Sequence, residues 1–324
     1  MLTSPQILEK IECALQSVPY PQRPEGLYEP IQYVLEAGGK RIRPMLTLLA
    51  YQLYADDVDQ AIPVALGLET YHNHTLLHDD LMDNADMRRN RPTVHKKWDD
   101  NTAILSGDTM LIMAFRHLLS VPDVFLRQLL DLSTHTMLEV CEGQQYDVNF
   151  ESRDDVCEEE YLEMIRLKTS VLLACAAKAG SILAGAPSHE SDEVYAFAEK
   201  IGLAFQLQDD YLDVYGNPRV FGKNIGGDIL CGKKTFLLVN ALSLSNGERK
   251  SKLLEVLNDQ DMPAAEKIQF VTQQYNELGI PQLCEKAIAK YYEEARVCLD
   301  RLSVAEERKN LLWQFVASLL DRKS

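Results

Sequence analysis

Apolar residues recur at helical spacing along almost the whole of this 324-residue chain. No run alternates with the period of two that a half-buried strand requires. The single Asn-Gly pair, Asn246-Gly247, lies between helix-patterned segments and so does not read as hairpin punctuation. The spacing predicts helices over Glu29–Ala37, from Pro44 to about Tyr54, and from Ile62 to about Asp83. More follow over Asn101–Leu119, Val124–Phe150, Glu158–Ala184 and Asp192–Val214. Lys233–Leu244, Gly247–Asn258, Ala264–Leu278, Pro281–Leu302 and Ala305–Leu320 complete the set. Gly38-Gly39 reads as a helix stop, and Pro44 can open the next helix. Asn84–Asp100 reads as polar and irregular. Tyr215–Gly232, with five glycines, reads as a mobile loop. No linker or low-complexity stretch divides the chain, so the expectation is one all-α domain over 1–324.

Charge and composition exclude several classes. With 33 basic against 49 acidic residues the net charge is −16, which argues against non-specific nucleic-acid binding. The longest apolar stretch, Ser170 to Pro187, is interrupted by Lys178 and reads as a buried helix rather than a membrane span. The first residues lack a basic segment followed by an apolar one, so no secretory signal is expected. The seven cysteines are scattered without a CxxC spacing. They read as reduced thiols in a cytoplasmic protein.

Two acidic runs break the apolar pattern: Asp79-Asp80-Leu81-Met82-Asp83 and Asp209-Asp210-Tyr211-Leu212-Asp213. Both read D-D-x-x-D on helix-patterned sequence. Residues three and four apart share a helical face, so each run stacks its carboxylates on one side. Their repulsion is relieved by a hard divalent cation. Oxygen-only ligands favour Mg²⁺, which keeps some waters and bridges carboxylates to phosphates. A lone copy would read as a solvated acidic face. Two copies, with cations nearby, suggest paired carboxylate walls around a metal-diphosphate cluster, brought together by tertiary packing.

His72 lies two turns before Asp79 on nearly the same stripe, and Gln206 one turn before Asp209. The cations gather near the acidic runs in an otherwise acidic chain: Lys40-Arg41-Ile42-Arg43, Arg88-Arg89 with Arg91, Lys168, Lys223 and Lys233-Lys234. Arginine forks and lysine point charges suit phosphate oxygens. No GxxxxGK[ST] loop is present, which argues against a P-loop nucleotide enzyme.

With these pieces in order, the chain resembles the trans-isoprenyl diphosphate synthase family, the farnesyl/geranylgeranyl diphosphate synthases, over nearly its whole length. The resemblance rests on Gly38-Gly39-Lys40-Arg41-Ile42-Arg43-Pro44, Glu69 to Asp83, Arg88-Arg89, Lys168-Thr169, Phe205 to Asp210, and Gly222-Lys223 through Asp228 to Gly232-Lys233. Two departures stand out. Asn90 occupies a position where the family usually has glycine, and His74 replaces a common aromatic residue five positions before Asp79.

The resemblance implies a single large helical bundle of the isoprenoid synthase type with a central active-site cavity, usually assembled as a homodimer. It implies head-to-tail prenyl transfer with three Mg²⁺ ions held by Asp79, Asp83 and Asp209, with Asp80, Asp210 and Asp213 in support. Arg88, Lys168, Lys223 and Lys233 would contact the allylic diphosphate. The Thr169 carbonyl and Gln206 would face the allylic cation. Lys40, Arg43, His72 and Arg89 would bind isopentenyl diphosphate, with Arg322 and Lys323 as weaker candidates. Tyr71, His74 and Thr75 would form the floor of the product tunnel, giving a farnesyl or geranylgeranyl product.

The alternatives are a longer-chain polyprenyl synthase, a catalytically silent synthase subunit, and an HD-type metal phosphohydrolase built on His78-Asp79. The silent subunit usually lacks an aspartate motif, and both are intact here. The hydrolase needs histidines converging on a distant aspartate, and the second run has none near it.

Overall fold

A computed structural model describes residues 1–216 and 225–320. It is built from α-helices and one minimal hairpin among those residues. The chain divides into two compact units. The first comprises Met1–Thr134, Cys175–Val194 and Ser303–Leu312. The second takes the described residues of His135–Ala174 and Tyr195–Leu302, and those from Trp313 onward.

The first unit opens with α1 (Ser4–Gln16), a helix the sequence reading did not anticipate. Ile7, Ile11 and Leu15 repeat every four residues and are buried, while Thr3 and Gln6 form a capping box at its start. Helix α2 (Glu25–Glu36) begins a turn earlier than expected, and α3 (Ile42–Tyr51) places Pro44 in its first turn. Helix α4 (Ile62–Met82) is apolar in its first two turns and stays largely buried beyond them, with Glu69, Thr70, Asn73 and Asp80 among its buried residues.

Asn84–Asp100 is not irregular throughout. Strands β1 (Met87–Arg88) and β2 (Arg91–Pro92) pair antiparallel, with Arg88 opposite Arg91. Arg89 and Asn90 turn the chain with φ of 51° and 60°, the positive values a type I′ hairpin turn needs. Asn tolerates that region, which is why glycine is dispensable at position 90. A short helix α5 (Val94–Lys97) leads to α6 (Asp100–Leu118). The Asp99 carboxylate caps α6 by accepting from Thr102 N–H at 2.8 Å. Helices α2 and α4 both pack along α6.

Helix α7 (Asp123–Glu151) is followed by α8 (Glu158–Ile165). The continuous helix expected over Glu158–Ala184 is interrupted by a π-helical turn, Arg166–Ser170, before α9 (Val171–Leu183). In that turn Val171 N–H donates to Arg166 C=O, a five-residue step. Helix α10 (Ser188–Tyr215) carries the second aspartate run. Beyond it lie helices Gly227–Leu230, Phe236–Leu244, Gly247–Asn258, Ala264–Glu277, Ile280–Asp300 and Glu306–Leu320. The loop expected over Tyr215–Gly232 thus contains one helical turn, and part of it lies outside the described residues. The core of the second unit joins Tyr161, Leu207, Phe236, Val271, Tyr275 and Cys284 among others.

Candidate active site

Each unit carries one aspartate run. In the first, the C-terminal end of α4 presents Asp79, Asp80 and Asp83. Asp80 is buried, and Arg88 Nε donates to its Oδ1 at 2.7 Å. Burial raises the Asp80 pKa against the pull of Arg88. Asp79 is partly accessible, with Arg88 at 3.7 Å, and Asp83 is exposed. The hairpin explains how neighbouring arginines serve different places. Arg88, in β1, reaches back to α4, whereas Arg89, at the turn, donates to Gly38 C=O.

Gly38 and Gly39 have φ of 75° and 133°, and Arg41 has φ 47°. A left-handed arginine costs about 1–2 kcal/mol and persists only where other bonds over-determine it. Arg41 donates to Glu12 at 2.8 Å, to Glu69 at 2.9 Å and to Leu35 C=O at 2.7 Å. Burial pulls its pKa down, but Glu12 and Glu69 outweigh this and raise it. Neither acidic partner was among the expected site residues. No local motif announces them, because their spacing to Arg41 is set by tertiary packing.

Arg43 is lowered to about 10 by burial, and the nearby Arg89 adds to the depression. His72 is pushed well below its ordinary pKa by burial and by Arg43, Arg89, Arg88 and Arg41. Arg43, His72 and Arg89 are therefore brought together. Burial and the neighbouring guanidinium charges favour the neutral imidazole, with Glu69 offsetting part of the positive charge on Arg43 and Arg89. Lys40, at the start of this segment, is exposed.

Along α4, Tyr71 is buried with its ring 5.6 Å from His74. His74 Nδ1 lies 2.9 Å from Gly107 C=O of α6, and the His78 ring meets His74 edge-on with centroids 4.6 Å apart. Thr75 Oγ1 donates to His72 C=O at 2.8 Å. His78 Nε2 is 3.3 Å from Ile104 C=O. Its ring is thus engaged with α6, which removes the chief support for an HD hydrolase centre.

In the second unit, Lys168 and Thr169 sit in the π turn. Glycines hold that turn from two helices. A Cβ on Gly143 of α7 would collide with Lys168 N, and one on Gly202 of α10 would sit 2.6 Å from Ser170 Cα. Lys168 Nζ pairs with Asp147 of α7 at 2.5 Å, a partner set by packing between helices and not by any local motif. Thr169 Oγ1 donates to Gln206 Oε1 at 3.4 Å, and Gln206 Nε2 donates to Asp210 Oδ1 at 3.2 Å.

Burial separates the aspartates of this run. Asp210 is 4 % exposed and also accepts from the Tyr161 hydroxyl and from Phe236 N–H. Burial, reinforced by Asp228, pushes Asp210 up to about 7. Asp213 is buried, and its Oδ2 accepts from Asp228 N–H at 3.0 Å. Asp209 is partly accessible. Lys233 is exposed and its N–H donates to Asp228 C=O. Lys223, Arg322 and Lys323 lie outside the described residues.

Among the described residues no three His, Cys, Asp or Glu side chains already converge as a closed metal cage. The donor chemistry still fits Mg²⁺, which takes one or two carboxylates and completes its shell with water and substrate phosphate. Asp79 and Asp209 are partly accessible oxygen donors, and Asp83 is an exposed one.

Residues 24–275 match the polyprenyl synthetase family model. A short chain isoprenyl diphosphate synthase of Methanocaldococcus jannaschii is 40% identical over 81% of this chain and 80% of its own length. A geranylgeranyl diphosphate synthase of Methanosarcina mazei is 36% identical over 97% and 95%. A crystal structure of a geranylgeranyl pyrophosphate synthase superposes with a TM-score of 0.93 at 43% identity, covering 100% of both chains. The chain belongs to the polyprenyl synthetase family, whose members are all-helical prenyltransferases.

Proposed function

We propose that the protein condenses an allylic diphosphate with isopentenyl diphosphate head to tail, giving a short-chain product of the farnesyl or geranylgeranyl class. The observation that carries this reading is the division of labour within the two aspartate runs. Asp79 and Asp209 are partly accessible and Asp83 is exposed, while Asp80, Asp210 and Asp213 are buried among protein donors. Relatives named for geranylgeranyl diphosphate synthesis favour the longer of the two products.

Asp79, Asp83 and Asp209 would hold three Mg²⁺ ions together with the substrate diphosphate. When bound, Mg²⁺ supplies Lewis-acid neutralisation of charge on the departing diphosphate. Arg88, Lys168, Lys223 and Lys233 add fixed positive charge to the same group. The allylic C–O bond breaks with its electron pair leaving on the diphosphate. Thr169 and Gln206 offer oxygen atoms to the resulting cation. Lys40, Arg43, Arg89 and neutral His72 hold isopentenyl diphosphate, whose alkene forms the new C–C bond. The proton then lost passes to the released diphosphate, so no side-chain base is required.

Tyr71, His74 and Thr75 limit product length. Chromatography of dephosphorylated products from labelled isopentenyl diphosphate tests both halves of the reading. The unmodified protein should give C15 or C20 alcohols, and Tyr71→Ala with His74→Ala should lengthen them by one or more isoprene units. An unchanged distribution in the double variant would place the tunnel floor elsewhere. Phosphate release without condensation would contradict the reaction itself.

A further inference from the structure

A buried carboxylate, Asp210, links the Tyr161 hydroxyl to the Gln206 carboxamide. We propose that Tyr161, acting through Asp210, fixes the Gln206 carboxamide with its oxygen turned toward Thr169, making Tyr161 and Asp210 positioning residues for the allylic cation. The inference rests on the prenyl-transfer reading above.

Three protein donors converge on Asp210 and favour its carboxylate form against the opposing effect of burial. A carboxylate only accepts, along about four lone-pair directions. Asp210 Oδ2 takes the Tyr161 hydroxyl and the Phe236 N–H, the latter at 3.0 Å. Oδ1 is thereby left facing Gln206, whose NH₂ approaches it at 3.2 Å. The opposite amide orientation would set oxygen against oxygen. With the NH₂ committed, Gln206 Oε1 must lie at the other end, where Thr169 Oγ1 donates to it at 3.4 Å. An amide oxygen carries partial negative charge and stabilises a neighbouring cation, whereas the NH₂ end repels one. The orientation is therefore catalytic in consequence although Tyr161 and Asp210 touch no substrate.

The anchoring end is rigid. Tyr161 is 2 % exposed, and its ring packs edge-on against Phe236 at 6.3 Å. Asp210 is enclosed and satisfied by three protein donors. That leaves it poorly placed to serve as a metal ligand, despite its place in the motif.

Steady-state kinetics of Tyr161→Phe, Gln206→Ala and the double variant test this. Tyr161→Phe keeps the ring packing and removes only the hydroxyl. It should lower kcat by about tenfold, with KM for isopentenyl diphosphate and the half-saturating Mg²⁺ concentration unchanged. The double variant should be no slower than Gln206→Ala alone, because both changes disable one device. Multiplying losses, or an unaltered kcat in Tyr161→Phe or Gln206→Ala, would overturn the proposal. Should Tyr161→Phe fail to fold, Asp210→Asn decides the matter. A lower kcat at an unchanged Mg²⁺ requirement supports positioning, and a raised Mg²⁺ requirement marks Asp210 as a ligand and overturns it. If the unmodified protein extends no allylic primer, the prenyl-transfer reading has failed instead.

Discussion

Arg41 and Glu69 meet at 2.9 Å with both side chains almost wholly removed from water. Arg41 is left-handed, and this bond helps hold the turn that leads from Lys40 to Arg43. Removing one member of a buried pair leaves the other charge uncompensated, at a cost of about 3–5 kcal/mol. Glu69→Ala should lower unfolding free energy by that amount in urea denaturation. A loss below about 1 kcal/mol would mean that Glu12 and the Leu35 carbonyl suffice.

The π turn gives a second prediction. On propensity alone Gly143→Ala should stabilise α7 by about 1 kcal/mol. The added Cβ would instead overlap the backbone at Lys168 and crowd Leu167 C at 2.7 Å. The variant should be destabilised by about 1–3 kcal/mol, with kcat reduced by about tenfold or more as Lys168 and Thr169 shift. A more stable, fully active Gly143→Ala protein would contradict the clamping role.

These two sites show what was legible in the sequence. The helices were readable because apolar spacing reports burial directly, and Gly247–Asn258 has the expected bounds. The aspartates, Lys168 and Gln206 were readable from motif and order. The π turn was not, since Arg166–Ser170 carries no breaker residue and its distortion depends on the glycines that approach it. The hairpin escaped because its turn uses Arg89-Asn90 rather than Asn-Gly. Asp147, Tyr161 and Glu69 escaped because a buried partner is chosen by packing between distant segments. Helix α1 carries a four-residue apolar repeat, Ile7, Ile11 and Leu15, that is visible in the sequence.

Acid should expose the histidines of α4. His74 is lowered to about 4, chiefly by burial and then by His78, while Gly107 C=O and Asp108 oppose the shift. An unfolded histidine titrates near 6.5. Between those values the unfolded chain binds the extra proton, so stability falls as pH drops from about 6.5 toward 4. His74→Gln should recover about 1–2 kcal/mol of the loss between pH 7 and pH 5. Denaturation midpoints at the two pH values check this, and parallel losses in both proteins would contradict it.

Helix α6 leaves Ile104, Leu105 and Ile112 exposed at 45 %, 59 % and 62 %. Apolar side chains clustered on one helix suit burial against a second copy of the chain. Light scattering at micromolar concentration should give twice the chain mass, and Leu105→Glu with Ile112→Glu should lower it. A monomeric mass for the unmodified protein would contradict the dimer.

The most direct test compares incorporation of labelled isopentenyl diphosphate by the unmodified protein, Asp79→Ala and Asp209→Ala, each with Mg²⁺ and an allylic diphosphate. The account predicts chain extension by the unmodified protein and losses on the order of a thousandfold in each variant, with the helical fold retained. Near-normal extension by a folded Asp79→Ala or Asp209→Ala protein would contradict the central claim.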